Sequence, residues 1–310
     1  MKIENNIIKW LFKGDVSIRY QAYRDLLNVE RKDIRKRISK EGWGAKYLSF
    51  RNINGHWGKG FYQPKWTSSH YTILDLKNLC ISKDVNEIKE TIFLIIKNNK
   101  CEDGGLNPSG TIKNSDVCIN GMFLNYASYF NCGENNFKSI IDFLLSNQMA
   151  DGGFNCHSNR KGATHSSLHT TLSVIEGIYE YYKNGYKYRL NELQKAEIES
   201  REFILRHRLF KSHKTGKIIK NQMIRFSYPS RWYYDILRAL DYFRYAKVKY
   251  DNRMQDAIDI LLKKRGKDNK WKLQSNHPGQ IHFIMEPVGL PSRWNTLRAL
   301  RVLQYYDIYS

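Results

Sequence analysis

The sequence predicts an all-α protein built from tandem helical hairpins, and three observations predict it. Apolar residues recur three and four positions apart through most of the chain, the helical period. A unit of about fifty residues repeats, each copy carrying a long loop rich in Gly, Asn and Trp between two helix-like segments. Ser or Thr stands at or near the start of the segment after each loop, where its side chain can cap free backbone N–H groups. The chain has 310 residues, 41% of them hydrophobic, enough to bury a sizeable core. One domain over residues 1–310 is expected, with a degenerate beginning over 1–51 and the repeats over 52–310.

In chain order, residues 3–13 and 16–28 read as short helices, the second opened by Asp15 or Ser17. Residues 31–51 read as a third, broken near Gly42 and Gly44. The loops then run NINGHWGKGFYQPKW (52–66), KCEDGGLNPSGTIKN (100–114) and MADGGFNCHSNRKGA (149–163), with degenerate copies at 210–230 and 266–292. Amphipathic segments follow them at 67–81, 115–130, 165–182, 230–243 and 292–306. The partner segments at 84–98, 135–148, 191–207 and 252–264 run into the next unit after a few residues, as antiparallel hairpins do. One such helix cannot bury its apolar face alone; stacking buries it. The period does not distinguish a closed ring from an open solenoid.

Charged residues make up 26%, and no apolar run reaches the roughly 18–20 residues that span a bilayer. The N-terminus lacks an apolar signal core, so a cytoplasmic protein is expected. Cys80, Cys101, Cys118, Cys132 and Cys156 are odd in number and form no CxxC pair, which suggests neither a disulfide framework nor a four-cysteine zinc site. The net charge of +21 attracts anions, among them phosphorylated small molecules and the surface of an acidic membrane. It also fits solvated helix faces. No nucleic-acid-binding motif accompanies it, so nucleic acid is not an expected partner.

QMADGGF (148–154) resembles the Q-x-x-D-G-G-[FW] motif of the terpenoid cyclase and protein prenyltransferase superfamily. EDGGL (102–106) is a weaker copy, and GHWG (55–58) and NKWK (269–272) are weaker still. The likeness covers roughly residues 50–310. It implies an α/α toroid of six hairpins, with inner helices around a central cavity and the long loops gathered at one end. Asp-Gly-Gly also has a structural meaning of its own, a tight turn that uses the positive φ glycine takes cheaply.

The acidic D-x-D-D motif of squalene-type cyclases is absent, as is D-D-x-x-D. Asp116-Val117-Cys118 and the His169-Thr170 pair are similar to the zinc ligands of protein prenyltransferase β-subunits. The resemblance would make Asp116, Cys118 and His169 zinc ligands, with an open fourth position of the kind found in catalytic sites. His165, Cys156 and His157 are further candidates for ligands or for groups that orient them. Alternatively Asp116 caps its helix, Cys118 is a small buried hydrophobe and His169 belongs to the core.

Aligning the helix starts places Tyr71, Tyr234 and Trp294 with Cys118 and His169, and Arg238 and Arg298 one turn further. Arg231 and Arg293 each stand in a Pro-Ser-Arg-Trp tetrapeptide. Aromatic walls suit an isoprenoid or another apolar chain, and arginines suit a diphosphate; packing within the core is the alternative. The expected activity is that of a terpenoid cyclase- or prenyltransferase-like enzyme, zinc-dependent, acting by transfer or cyclisation. Prenyltransferases need a second subunit, and nothing in the sequence identifies one. A non-catalytic module of the same fold, binding peptide, lipid or carbohydrate, is the competing expectation.

Overall fold

A computed structural model describes residues 4–109 and 112–308, with Arg160 by its backbone alone. Gly110 and Thr111 of the second loop lie outside these. The described chain is all-helical, with no β-strand and only isolated bridges. The helices are α1 (Asn5–Phe12), α2 (Val16–Leu26), α3 (Lys32–Arg37), α4 (Gly42–Ser49), α5 (Ser69–Asn78), α6 (Asn86–Asn99) and α7 (Val117–Tyr129). They continue with α8 (Lys138–Ser146), α9 (Ser158–Lys161), α10 (Leu168–Lys183), α11 (Leu190–Arg206), α12 (Ile236–Tyr245), α13 (Gln255–Lys263) and α14 (Arg293–Tyr305).

The boundaries follow the caps. Asp15 accepts from Ser17 N, Asp116 from Cys118 N and Ile119 N, and Ser292 from Asn295 N. Two boundaries differ from the sequence expectation. The segment expected to begin at 230 starts at Ile236, because Asp235 takes the cap and accepts from Arg238 N. Tyr234 therefore precedes its helix, whereas Cys118, His169 and Trp294 each occupy the second helical position. The break expected near Gly42 and Gly44 falls just before them, and Gly42 opens α4.

The chain divides into two compact units. The first draws on residues 1–50, 78–82 and 207–310. There α14 packs on α12 and α2, and α2 also packs on α1, α3 and α4. Arg301 of α14 pairs with Asp25 of α2 at 2.7 Å and with Asp241 of α12. Burial alone would raise the Asp25 and Asp241 carboxyls; the guanidinium of Arg301 overcomes it and holds both low. Removing one member of such a buried network leaves an uncompensated charge.

The second unit draws on residues 51–77 and 83–206. At its centre α7 and α10 approach backbone to backbone. A Cβ at Gly121 would lie 2.7 Å from Val174 Cα, and one at Gly177 only 2.2 Å from Gly121 O. Leu124, Phe123, Leu172, Ile175 and Ile178 are fully buried around this crossing.

A single hydrogen-bonded turn recurs at the four places where the sequence repeats a motif. Met149 N donates to Gly153 O and Gly152 N to Met149 O; the same pair of bonds joins Cys101 with Gly105 and Gly104, Asn52 with His56 and Gly55, and Gly266 with Lys270 and Asn269. The apolar residue that follows each turn, Phe154, Leu106, Trp57 or Trp271, is completely buried. Its backbone N–H donates to a side chain of a nearby helix: Thr171, Asn120, Ser69 or Thr296.

The two glycines have separate tasks. Gly152 takes φ +93°, and its carbonyl accepts from Ser200 of α11 at 2.8 Å. Gly153 lies so close to the next helix that a Cβ would sit 2.7 Å from both Ser166 Cβ and Thr171 Oγ1. Gly153→Ala is therefore expected to cost about 1–3 kcal/mol through overpacking. Gly162→Ala, where nothing lies within 4 Å, should cost about 1 kcal/mol from its left-handed φ alone. Denaturant midpoints of the two variants check this, and equal shifts would count against a steric role for Gly153.

Candidate metal centre

The Asp-Gly-Gly turns fix where the adjoining loops begin and end. Asp151 accepts from the backbone N–H and the hydroxyl of Ser166, two residues before α10. Asp103 does the same for Ser115, two residues before α7, at 2.7 Å in both bonds. Burial would raise the Asp151 carboxyl, but the hydrogen bonds from Ser166 outweigh it and hold it low. Loop and helix start are thereby joined by charge-assisted bonds, the stronger kind.

Past the third turn, the loop is shaped by Asn155. Its Nδ2 donates to His165 O at 2.8 Å, its Oδ1 accepts from His157 N at 2.9 Å, and its carbonyl accepts from the Ser158 hydroxyl. Asn159 of α9 then reaches Ser115 O at 3.0 Å, and Asn114 donates back to Asn159 O. These bonds lay residues 155–159 against the start of α7. The backbone N–H of Cys156 donates to Thr170 Oγ1.

The consequence is a cluster of three. A carboxylate oxygen of Asp116, Cys118 Sγ and Cys156 Sγ lie within 4.8 Å of one another, and all three residues are half-buried. It is the one group of at least three His, Cys, Asp or Glu side chains with such spacing among the described residues. Donor atoms around tetrahedral zinc stand about 3.3–3.8 Å apart, given bonds of about 2.0–2.3 Å. Small side-chain movements bring the three to that spacing. The cap on α7 uses Asp116 Oδ1, and a carboxylate has two oxygens and several lone pairs, so capping and ligation are compatible.

The cluster lacks positive charge of its own. The Cys118 thiol is pushed well up, first by its hydrogen bond with Cys156, then by burial and by the charge of Asp116. The same charges are felt nearby. Tyr62 and Tyr71, whose hydroxyls are 3.1 Å apart, are raised by burial and further by Cys118 and Asp116. Lys65 is lowered by burial, with Cys118 and Asp116 opposing.

An aromatic group lies beside Tyr71. His70 is fully buried, 4.8 Å from the Tyr71 ring and flanked by Phe61, Tyr62 and Tyr126. Its Nδ1 is 3.2 Å from the Tyr126 hydroxyl, and burial pushes its pKa down to about 3. Tyr62, Lys65 and His70 were not among the sequence candidates. Their signal is the aromatic and cationic density of residues 61–71, which carries no motif.

Of the other predicted residues, His169 is half-exposed in the first turn of α10 and is not part of the group of three, while His157 and His165 are exposed. Tyr71 shares the second unit with the cluster. The remaining candidates belong to the first unit. There Tyr234 is buried and donates to Leu209 O. Trp294 is buried and stacks on Tyr228, ring centroids 4.4 Å apart. Arg298 is buried between Asp235 at 4.0 Å and Asp241 at 3.7 Å. Arg293 bonds the Trp10 carbonyl at 3.1 Å and lies over the Trp10 ring. Arg238 is buried and donates to Tyr233 O at 2.9 Å. Arg231 is buried, with φ +55°.

No protein-family model and no curated protein matches this chain. No helix among the described residues is long and apolar enough to cross a membrane.

Asp116→Asn keeps a side chain that caps helices well and removes the negative charge beside Cys118. In metal-free protein the Cys118 thiol of this variant is expected to titrate at lower pH, because a neighbouring anion disfavours the thiolate. Alkylation rate against pH reads this directly. An unchanged profile would show that Asp116 does not act on the thiol.

Proposed function

We propose that this chain is a zinc-dependent enzyme of the terpenoid cyclase and protein prenyltransferase type, an α/α toroid acting on an isoprenoid or similar apolar substrate. The observation that carries the proposal is the convergence of one carboxylate and two thiols on a half-buried point. Thiolate and carboxylate are normal zinc ligands, and three protein ligands leave a coordination position for water or substrate. Bound there, zinc supplies Lewis acidity that lowers the pKa of a water, thiol or hydroxyl toward neutrality.

The chain's own residues would do the rest. Asp116, Cys118 and Cys156 hold the ion, with Cys156 in the place the sequence suggested for His169. The rings of Phe61, Trp66 and Tyr71 are buried, and an opening onto them would expose the kind of apolar surface an alkyl or isoprenoid chain prefers. The Tyr62 and Tyr71 hydroxyls, kept protonated by burial, offer neutral hydrogen bonds to a polar end of the substrate. Within the same unit as the cluster, Lys65, whose charge Cys118 and Asp116 favour, would face an anionic group of the substrate. We place the protein in a reducing, cytoplasmic setting, where thiol ligands persist.

Metal analysis of the purified protein is expected to give about one zinc per chain, lost in Cys118→Ser and in Cys156→Ser and kept in His165→Ala, since two thiolates supply most of the affinity. Metal-free protein, or zinc that survives both cysteine substitutions, would overturn the metal centre. Absence of metal with retained affinity for an apolar ligand would favour a non-catalytic binding module.

A further inference from the structure

Cys118 and Cys156 are also the two cysteines that the fold brings together. Their sulfurs lie within 4.8 Å of each other, and the thiols are joined by a hydrogen bond. One stands in the first turn of a rigid helix, the other in a loop held by side-chain bonds. Both residues are half-buried, whereas Cys132 is buried. Asp116 adds a carboxylate to the same point, and closing a bond between the sulfurs would relieve the crowding of anion-forming groups.

We propose that Cys118 and Cys156 are an oxidation site, a thiol pair that a hydroperoxide converts to an intramolecular disulfide when no metal is bound. The chemistry balances. One of the two thiols gives up its proton and attacks hydrogen peroxide as the thiolate, the O–O bond breaks, the sulfur becomes a sulfenic acid, and the departing hydroxide takes up that proton and leaves as water. The second thiol attacks that sulfur, the S–S bond forms, and the hydroxyl departs with the thiol proton as a second water. The two thiols lose two electrons and two protons, and one peroxide becomes two waters. The pairing goes beyond the proposed enzymatic reading and does not need it. It does have a consequence for that reading, because a sulfur in a disulfide is not a thiolate ligand, so oxidation and metal binding exclude each other.

The test treats chelator-stripped full-length protein with hydrogen peroxide and reads intact mass, free thiols and a non-reducing peptide map. The expected result is a loss of about 2 Da and of two thiols, a peptide joining the Cys118 and Cys156 segments, and reversal by a dithiol reductant. Cys118→Ser and Cys156→Ser, each checked for native helix content, should both abolish the cross-link while Cys80, Cys101 and Cys132 stay free. Separate sulfinic acids on the two residues without a link, or a disulfide through any other cysteine, would overturn the proposal. A disulfide that forms in protein that never binds zinc would leave this inference standing and remove the metal centre; zinc binding without a disulfide would do the reverse.

Discussion

The candidate site depends on one interaction, the carboxylate of the Asp-Gly-Gly turn accepting both the backbone N–H and the hydroxyl of the serine before the next helix. Asp103 holds Ser115 in this way and Asp151 holds Ser166. Each bond pair fixes the start of a helix to a turn 12 or 15 residues upstream, and a charged acceptor strengthens the bonds roughly twofold. The glycines make the approach possible, one through its positive φ, the other through the absent Cβ. With both helix starts pinned, the loop between Phe154 and Ser166 has little freedom. Asn155 and Asn159 use it to set Cys156 against Asp116 and Cys118.

Such a convergence has an electrostatic cost. Three groups that ionise to anions share a half-buried point, and the neighbours of Cys118 raise its proton affinity. Without a cation the cluster resolves this by keeping Cys118 protonated. A divalent ion or a sulfur–sulfur bond resolves it in two other ways, and both act on the same pair of residues. The nearby tyrosines and Lys65 sense the same charges, so whatever occupies the point also changes their electrostatic surroundings.

Much of this architecture is legible in the sequence. The period and the Ser, Thr and Asp caps locate the helices to within a few residues, and the four repeated motifs coincide with the four equivalent turns. The start of α12 is not legible, because Asp235 and Ser230 are both good caps and the φ of +55° at Arg231, which a helix does not accommodate, is a property of the folded loop. The sequence names Cys156 only as a further candidate beside His165 and His157, and that it rather than His169 joins Asp116 and Cys118 is not legible either. Family register compares helix positions, whereas Cys156 arrives through asparagine bonds in a loop. Arg298 looks like an anion site from its spacing, but its partners Asp235 and Asp241 are identified only by packing. Likewise Asp25, which pairs with Arg301, lies 276 positions away.

X-ray absorption at the zinc edge, on protein loaded with one equivalent of zinc, tests the account most directly. Two sulfur scatterers at about 2.3 Å with lighter atoms at about 2.0–2.2 Å are the expected first coordination sphere. A sphere of nitrogen and oxygen alone, or one that is unchanged when Cys156 is replaced by serine, would contradict it.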